Sequence, residues 1–179
     1  MAEIKVYIAS SIDGYIARKD GALDWLDALP NPNQIDHGYA DFYATIDTVI
    51  MGKSTYEEIL GFDVAWPYAN CLTYVLTSDD NYTLKTENTS RLASVSKSTI
   101  NKIVVESKKN IWIVGGGQTI AEFLKYDSID EMIICQIPTI LGNGIRLFPE
   151  GVKETVFEMV RTEPFETGAV SVTYRRKQV

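Results

Sequence analysis

The chain has 179 residues, enough for one domain with a full core. Its 45% hydrophobic and 23% charged residues are ordinary for a globular protein, and no apolar run approaches the length of a membrane span. A net charge of −7 and a pI of about 4.8 argue against nucleic acid as a partner, because binding a phosphate backbone requires a basic face.

In chain order, residues 3–9 read as a strand, and no signal-peptide pattern precedes it. Residues 10–34 read as a long polar and aromatic loop, broken by Gly14, Gly21, Pro30 and Pro32. The spacing of Ile35, Tyr39, Phe42 and Ile46 predicts a helix over 35–46. A buried strand, Thr48–Met51, follows, and then a helix from Ser54. Residues 71–78 read as a strand, 92–96 as a short one, and 98–108 as a helix with Ile100, Ile103 and Val104 inward. A strand over 111–114 leads through three glycines into another helix, and 129–141 read as a long buried strand. The tail reads as two strands joined by a turn around Gly168. Val170, Val172 and Tyr174 alternate there with polar residues, as on a half-covered antiparallel strand. The expectation is one α/β domain over 1–179: a mainly parallel sheet flanked by helices, with a C-terminal antiparallel hairpin. Cys71 and Cys135 stand singly in apolar runs and read as buried small hydrophobes, which fits a reducing cytoplasm.

Two stretches carry chemistry. "VIMGKSTYEEIL", at 49–60, contains Gly-Lys-Ser, the ending of an ATP-binding phosphate loop. That loop needs a glycine five places earlier, where this chain has Asp47, and Thr48–Met51 between them read as strand. What is left is strand, glycine, helix. The pairs Thr55/Glu58 and Ser54/Glu57 have capping-box spacing. The N–H groups and dipole of such a helix start suit an anion, and Lys53 adds charge; an ordinary capped helix reads the same way. "IWIVGGGQTIAEFL", at 111–124, repeats the grammar with Gly115, Gly116 and Gly117, and Thr119/Glu122 again have capping-box spacing. The dinucleotide pattern G-x-G-x-x-G fails because residue 120 is Ile. Two such turns in one parallel sheet would open on the same edge, which points to a nucleotide.

The chain's own reactive groups are few. His37 is its only histidine, and the sequence has neither a nucleophile elbow nor metal-ligand spacing. A cofactor would then carry the chemistry. The early loop offers Asp13, Asp24, Trp25 and Asp36 as a pocket and proton source. Aspartate commonly shapes turns, which is the first reading of Asp13, beside Gly14, and also fits Asp24, while Asp36 equally suits a helix start.

The segments "SSIDGYIARKDGALDWL", "VIMGKSTYEEI", "YVLTS", "IWIVGGGQTIAEFL" and "IDEMIICQIPTILGNGIRLF" occur in this order across nearly the whole chain. Together they resemble the dihydrofolate reductase-like superfamily, and most of all its stand-alone bacterial members. Those are related to the C-terminal reductase domain of the bifunctional riboflavin-biosynthesis deaminase/reductase. The resemblance implies that fold, bound NADPH, a homodimer, and reduction of a pteridine- or pyrimidine-like heterocycle. It implies that Ala9 and Ile16 border the nicotinamide. Gly52, Lys53, Ser54 and Thr55 would lie on cofactor phosphates, Thr77 and Ser78 near the adenosine ribose phosphate. Gly115, Gly116, Gly117, Gln118 and Thr119 would lie on the pyrophosphate. Asp36 matches the family's helix acid by its distance from the Met51–Gly52 strand end, and is the expected proton donor, with Asp13 and Trp25 beside it. The chain departs at Lys53, where dihydrofolate reductases usually carry arginine, and lysine lacks the bidentate fork. It also lacks the riboflavin enzyme's substrate-binding pattern. A dinucleotide-binding protein without turnover is the alternative from another class.

Overall fold

The computed structural model describes residues 1–177; Gln178 and Val179, the end of the domain expected over 1–179, lie outside the described residues. The main sheet has eight strands. Six are mutually parallel: β1 (Ile4–Ser11), β3 (Ile46–Gly52), β4 (Leu72–Leu76), β5 (Thr89–Leu92), β6 (Asn110–Gly115) and β7 (Glu131–Ile137). The C-terminal hairpin, β9 (Phe157–Pro164) and β10 (Val170–Arg176), adds to β7 antiparallel, giving the order β5-β4-β3-β6-β1-β7-β10-β9. A small ribbon pairs β2 (Tyr15–Ala17) with β8 (Ile145–Arg146). This is the expected α/β architecture with a mainly parallel sheet.

Both faces of the sheet are covered, so its inner strands read as nearly continuous apolar runs. Ile4, Val6, Ile50, Ile111 and Ile113 pack with Ile100 and Ile103 of α4 (Lys97–Glu106) and with Ile120 and Phe123 of α5 (Gly117–Leu124). Val49, Met51 and Trp112 point the opposite way, towards Phe42 of α2 (Tyr39–Ala44) and Tyr56 and Ile59 of α3 (Lys53–Leu60). Alternate residues of β3 thus serve two cores.

Several expectations need correction. The helix predicted over 35–46 is only α2, because His37 and Gly38 take positive φ of 57° and 88°, which an α-helix does not admit. Ile46 belongs to β3. The short strand predicted at 92–96 is β5, a few residues earlier. The strand predicted over 129–141 stops at Ile137, where Pro138 would interrupt the ladder. The early loop contains both β2 and a one-turn helix, α1 (Asp24–Asp27). Cys71 and Cys135 are buried and free, as expected.

Candidate functional site

Parallel strands end together on one edge, and the helices that follow present their N-termini there. β3 and β6 are neighbours with Met51 opposite Gly115, so the two glycine turns lie side by side. A Cβ on Gly52 would stand 2.9 Å from Thr119 Oγ1, and Thr119 is buried. A Cβ on Gly116 would lie 3.7 Å from Thr55 Oγ1 and 3.9 Å from Ile16 Cδ1. The structure thus brings Ile16, Gly52, Thr55, Gly115, Gly116 and Thr119 to one place.

The capping boxes expected here do not form. Gly52 and Gly116 are the N-caps of α3 and α5, and neither helix receives a side-chain cap among the described residues. Thr55 and Thr119 both sit one turn further in, as third helical residues. The pattern was therefore read out of frame, and the initial N–H groups have no cap from their own helix. Gly115 has φ of 144°, a conformation open to glycine, and its peptide bond to Gly116 is cis. Gly117 answers to packing: a Cβ there would meet the Arg146 and Leu147 carbonyls of the β8 segment. Ser54 and Gln118 are exposed in the first turns of α3 and α5.

Lys53 leans away from the turn. Its Nζ lies 3.4 Å from Asp79 Oδ2 and 4.5 Å from the centre of the Tyr82 ring. Thr77, at the end of β4, is buried; its Oγ1 accepts the Asp79 N–H at 3.2 Å. Its carbonyl accepts from Arg91 at 3.2 Å, and Arg91 also pairs with Asp80 at 2.8 Å. Ser78 is exposed. Asp79, Asp80, Tyr82 and Arg91 escaped the sequence reading. The signal was present in the two aspartates directly after Thr77–Ser78, charges out of place beside an expected phosphate.

The early-loop acids are acceptors. Asp13 Oδ1 accepts the Ser11 hydroxyl at 2.7 Å and the Leu141 N–H at 3.0 Å, and its Oδ2 accepts the Gly142 N–H at 2.7 Å. The Ser11 hydroxyl first, and then those N–H groups, hold its carboxyl below the usual carboxylate range. Asp36 is exposed and accepts the Ala40 and Gly38 N–H groups, each at 2.9 Å. These bonds, Ala40's foremost, lower its pKa too. Both acids are ionised at neutral pH, and this geometry runs against either as the proton donor expected from sequence. Asp13 ties β1 to the 141–142 turn, and Asp36 caps the chain entering α2. Asp24 is bound to Arg18, at 2.6 Å.

Trp25 is buried with Cys135, Ile137 and Ala169, and Ala9 packs against this cluster. Its Nε1 is buried with no acceptor among the described residues. Such a donor costs about 1–3 kcal/mol unless something meets it. The loop between α1 and α2 is held by the β9–β10 turn: His37 Nε2 lies 2.9 Å from Thr167 Oγ1, and its ring meets Phe165. The Tyr7 hydroxyl donates to the His37 carbonyl at 3.0 Å.

Residues 2–171 match the RibD C-terminal domain family. The chain belongs to that family. The uncharacterized protein YwjB of Bacillus subtilis (strain 168) is 41% identical over 172 residues, covering 96% of each chain. A solved structure from Shewanella sp. PV-4, named for riboflavin biosynthesis, superposes with a TM-score of 0.88 at 35% identity, covering 99% of this chain and 100% of that one. The dihydrofolate reductase of Enterococcus faecalis, solved with NADP(H) and RAB-propyl, gives a TM-score of 0.71 at 24% identity, covering 98% and 97%. At that identity the likeness establishes the fold. This RibD C-terminal domain member is therefore dihydrofolate reductase-like in architecture, as its motifs implied.

An apolar cavity of about 500 Å³ lies elsewhere, lined by Leu124, Met132, Ile134, Phe148, Val152 and Tyr174 among others. It touches the last residue of α5 and the first half of β7, and includes none of the residues at the glycine turns. No helix among the described residues is long and apolar enough to cross a membrane.

Proposed function

We propose that this protein is an NADPH-dependent reductase acting on a pteridine- or pyrimidine-like heterocycle, and that the whole chain serves as one reductase domain. The observation that carries this reading is the pair of adjoining, glycine-capped helix starts at the carboxyl edge of β3 and β6. A Cβ at Gly52 would meet Thr119 Oγ1 at 2.9 Å, so glycine there lets the two helix starts lie side by side. The unspent N–H groups of α3 and α5 suit a pyrophosphate, and Lys53 and Thr77 a ribose phosphate. Membership of the RibD C-terminal domain family supports reductase chemistry.

The cofactor, when bound, supplies a hydride. The chain's own work is to bind and orient. Ala9 and Ile16 would wall the nicotinamide, and Trp25 Nε1–H would offer a donor to substrate or to an ordered water. With Asp13 and Asp36 ionised, the proton that accompanies the hydride is assigned to water. We further propose a cytoplasmic homodimer. Support comes from Met159 and Val160, 63% and 50% exposed on the edge strand β9, since an open edge with apolar residues favours pairing.

A second reading, a dinucleotide-binding protein without turnover, is favoured by one observation: the carboxylates of Asp13 and Asp36 are engaged as acceptors of backbone N–H groups, and that of Asp24 by Arg18. A panel of pteridines and pyrimidines, including dihydrofolate, separates the two. Loss of NADPH absorbance with product formation supports the reductase. Tight NADPH binding with no oxidation by any member of the panel supports the binder. Light scattering should give twice the 20.0 kDa chain mass; a monomer contradicts the dimer.

A further inference from the structure

The corner expected to hold the ribose phosphate is already charge-balanced. Lys53 is paired with Asp79 at 3.4 Å, and Arg91 with Asp80 at 2.8 Å. Asp79 is held in place by its own turn: Oδ1 accepts the Asn81 N–H at 3.0 Å, and its N–H donates to Thr77 Oγ1 at 3.2 Å. Lys53 is fixed from its other side by the Tyr82 ring, which packs on Tyr56 of α3 with centres 6.3 Å apart. The chain as a whole carries −7, so the wider field offers an anion no help.

We propose that Asp79 is a specificity determinant of the cofactor site: it is the counter-ion that a 2′-phosphate must displace from Lys53, and it narrows the preference for NADPH over NADH. This rests on the dinucleotide reading given above. A phosphate monoester brings a charge near −2 at neutral pH. To take Lys53 it must break the pair with Asp79 and then sit beside the released carboxylate, a like-charge contact that opposes binding. NADH has a hydroxyl at that position and leaves the pair intact. Asp79 therefore acts on one cofactor and is nearly silent towards the other. Asp80 is a weaker determinant, because its partner Arg91 is also engaged by the Thr77 carbonyl.

The test is calorimetric titration of NADPH and of NADH into wild type, Asp79→Asn, Asp80→Asn, Lys53→Ala and the double variant Lys53→Ala/Asp79→Asn. Asparagine keeps an acceptor for the Asn81 N–H, so the turn is preserved. Asp79→Asn should raise the NADPH:NADH affinity ratio about tenfold at low salt, where exposed charges are least screened. Asp80→Asn should raise it less, and the Asp79→Asn effect should be smaller without Lys53, where no ion pair has to be broken and only the like-charge contact is relieved. A ratio unchanged by Asp79→Asn, or a gain as large from Lys53→Ala to the double variant as from wild type to Asp79→Asn, overturns the proposal while leaving dinucleotide binding intact. If wild type binds neither NADPH nor NADH, the dinucleotide reading fails and Asp79 loses this role with it.

Discussion

Helices α4 and α5 both follow the sheet and have similar lengths, yet they begin differently. α4 opens at Ser96, whose Oγ accepts the Thr99 N–H at 3.2 Å while Thr99 Oγ1 accepts the Ser96 N–H at 2.8 Å. That reciprocal box satisfies the first donors within the helix itself. α5, and α3 with it, open at glycine, and no side chain among the described residues caps them. The start of α4 closes itself, whereas the glycine starts of α3 and α5 leave their N–H groups for another partner. The residue at the N-cap makes the difference, since a threonine with a glutamate three places on occurs in both α3 and α5 without forming a box.

Closing one of the open starts should give the largest effect. Gly52→Val would place branched carbon where Thr119 Oγ1 already stands 2.9 Å from a Cβ. NADPH affinity should fall roughly 100-fold, about 2.7 kcal/mol, while circular dichroism shows the fold retained. Unchanged affinity would mean that the glycine turns are packing features only. Next, Lys53→Ala should weaken NADPH about tenfold, in the range for a partly exposed charge-assisted contact, with little effect on thermal stability. Equal affinity in calorimetry would leave Lys53 only its contacts with Asp79 and Tyr82.

On the closed side, Ser96→Ala should cost about 1 kcal/mol of stability, the usual value for losing an N-cap, and leave NADPH titrations unaltered. If cofactor affinity fell with it, the contrast between the two kinds of helix start would not hold. The smallest effect concerns acid. The folded-state pKa of Asp13 is depressed, chiefly by the Ser11 hydroxyl. Its contribution is therefore present above its unfolded pKa of about 3.9 and is lost as pH falls below that through the folded value. Asp36 behaves alike, through the Ala40 and Gly38 N–H groups. Denaturant unfolding of Asp13→Asn should show a shallower loss of stability below about pH 4 than wild type. A slope equal to wild type would remove Asp13 as the tie to the 141–142 turn.

The strands were legible because burial on both faces writes them as apolar runs. Thr48–Met51 and 111–114 needed only short extension to become β3 and β6. The glycine turns were legible as punctuation after such runs, and their shared edge followed from parallel pairing. Other features depend on partners distant in sequence. Asp13 looked like a turn residue or an acid, and its role is set by Leu141 and Gly142, more than a hundred residues on. The helix over 35–46 followed from periodicity, but His37 is held by Tyr7 and Thr167 in a backbone conformation that delays its start to Tyr39. Lys53 was read as free to meet a phosphate. Asp79 and Tyr82, which occupy it, come from the segment after the neighbouring strand, and only the β3–β4 pairing brings them there.

The central claim is that the two open helix starts hold a dinucleotide. Titration of NADPH into the purified protein, followed by calorimetry with thermal unfolding on the same samples, tests it most directly. The expected result is saturable binding at one site per chain, and a stabilisation of about 2.7 kcal/mol at a hundredfold excess over Kd. No heat of binding and no shift in unfolding with either NADPH or NADH would contradict it.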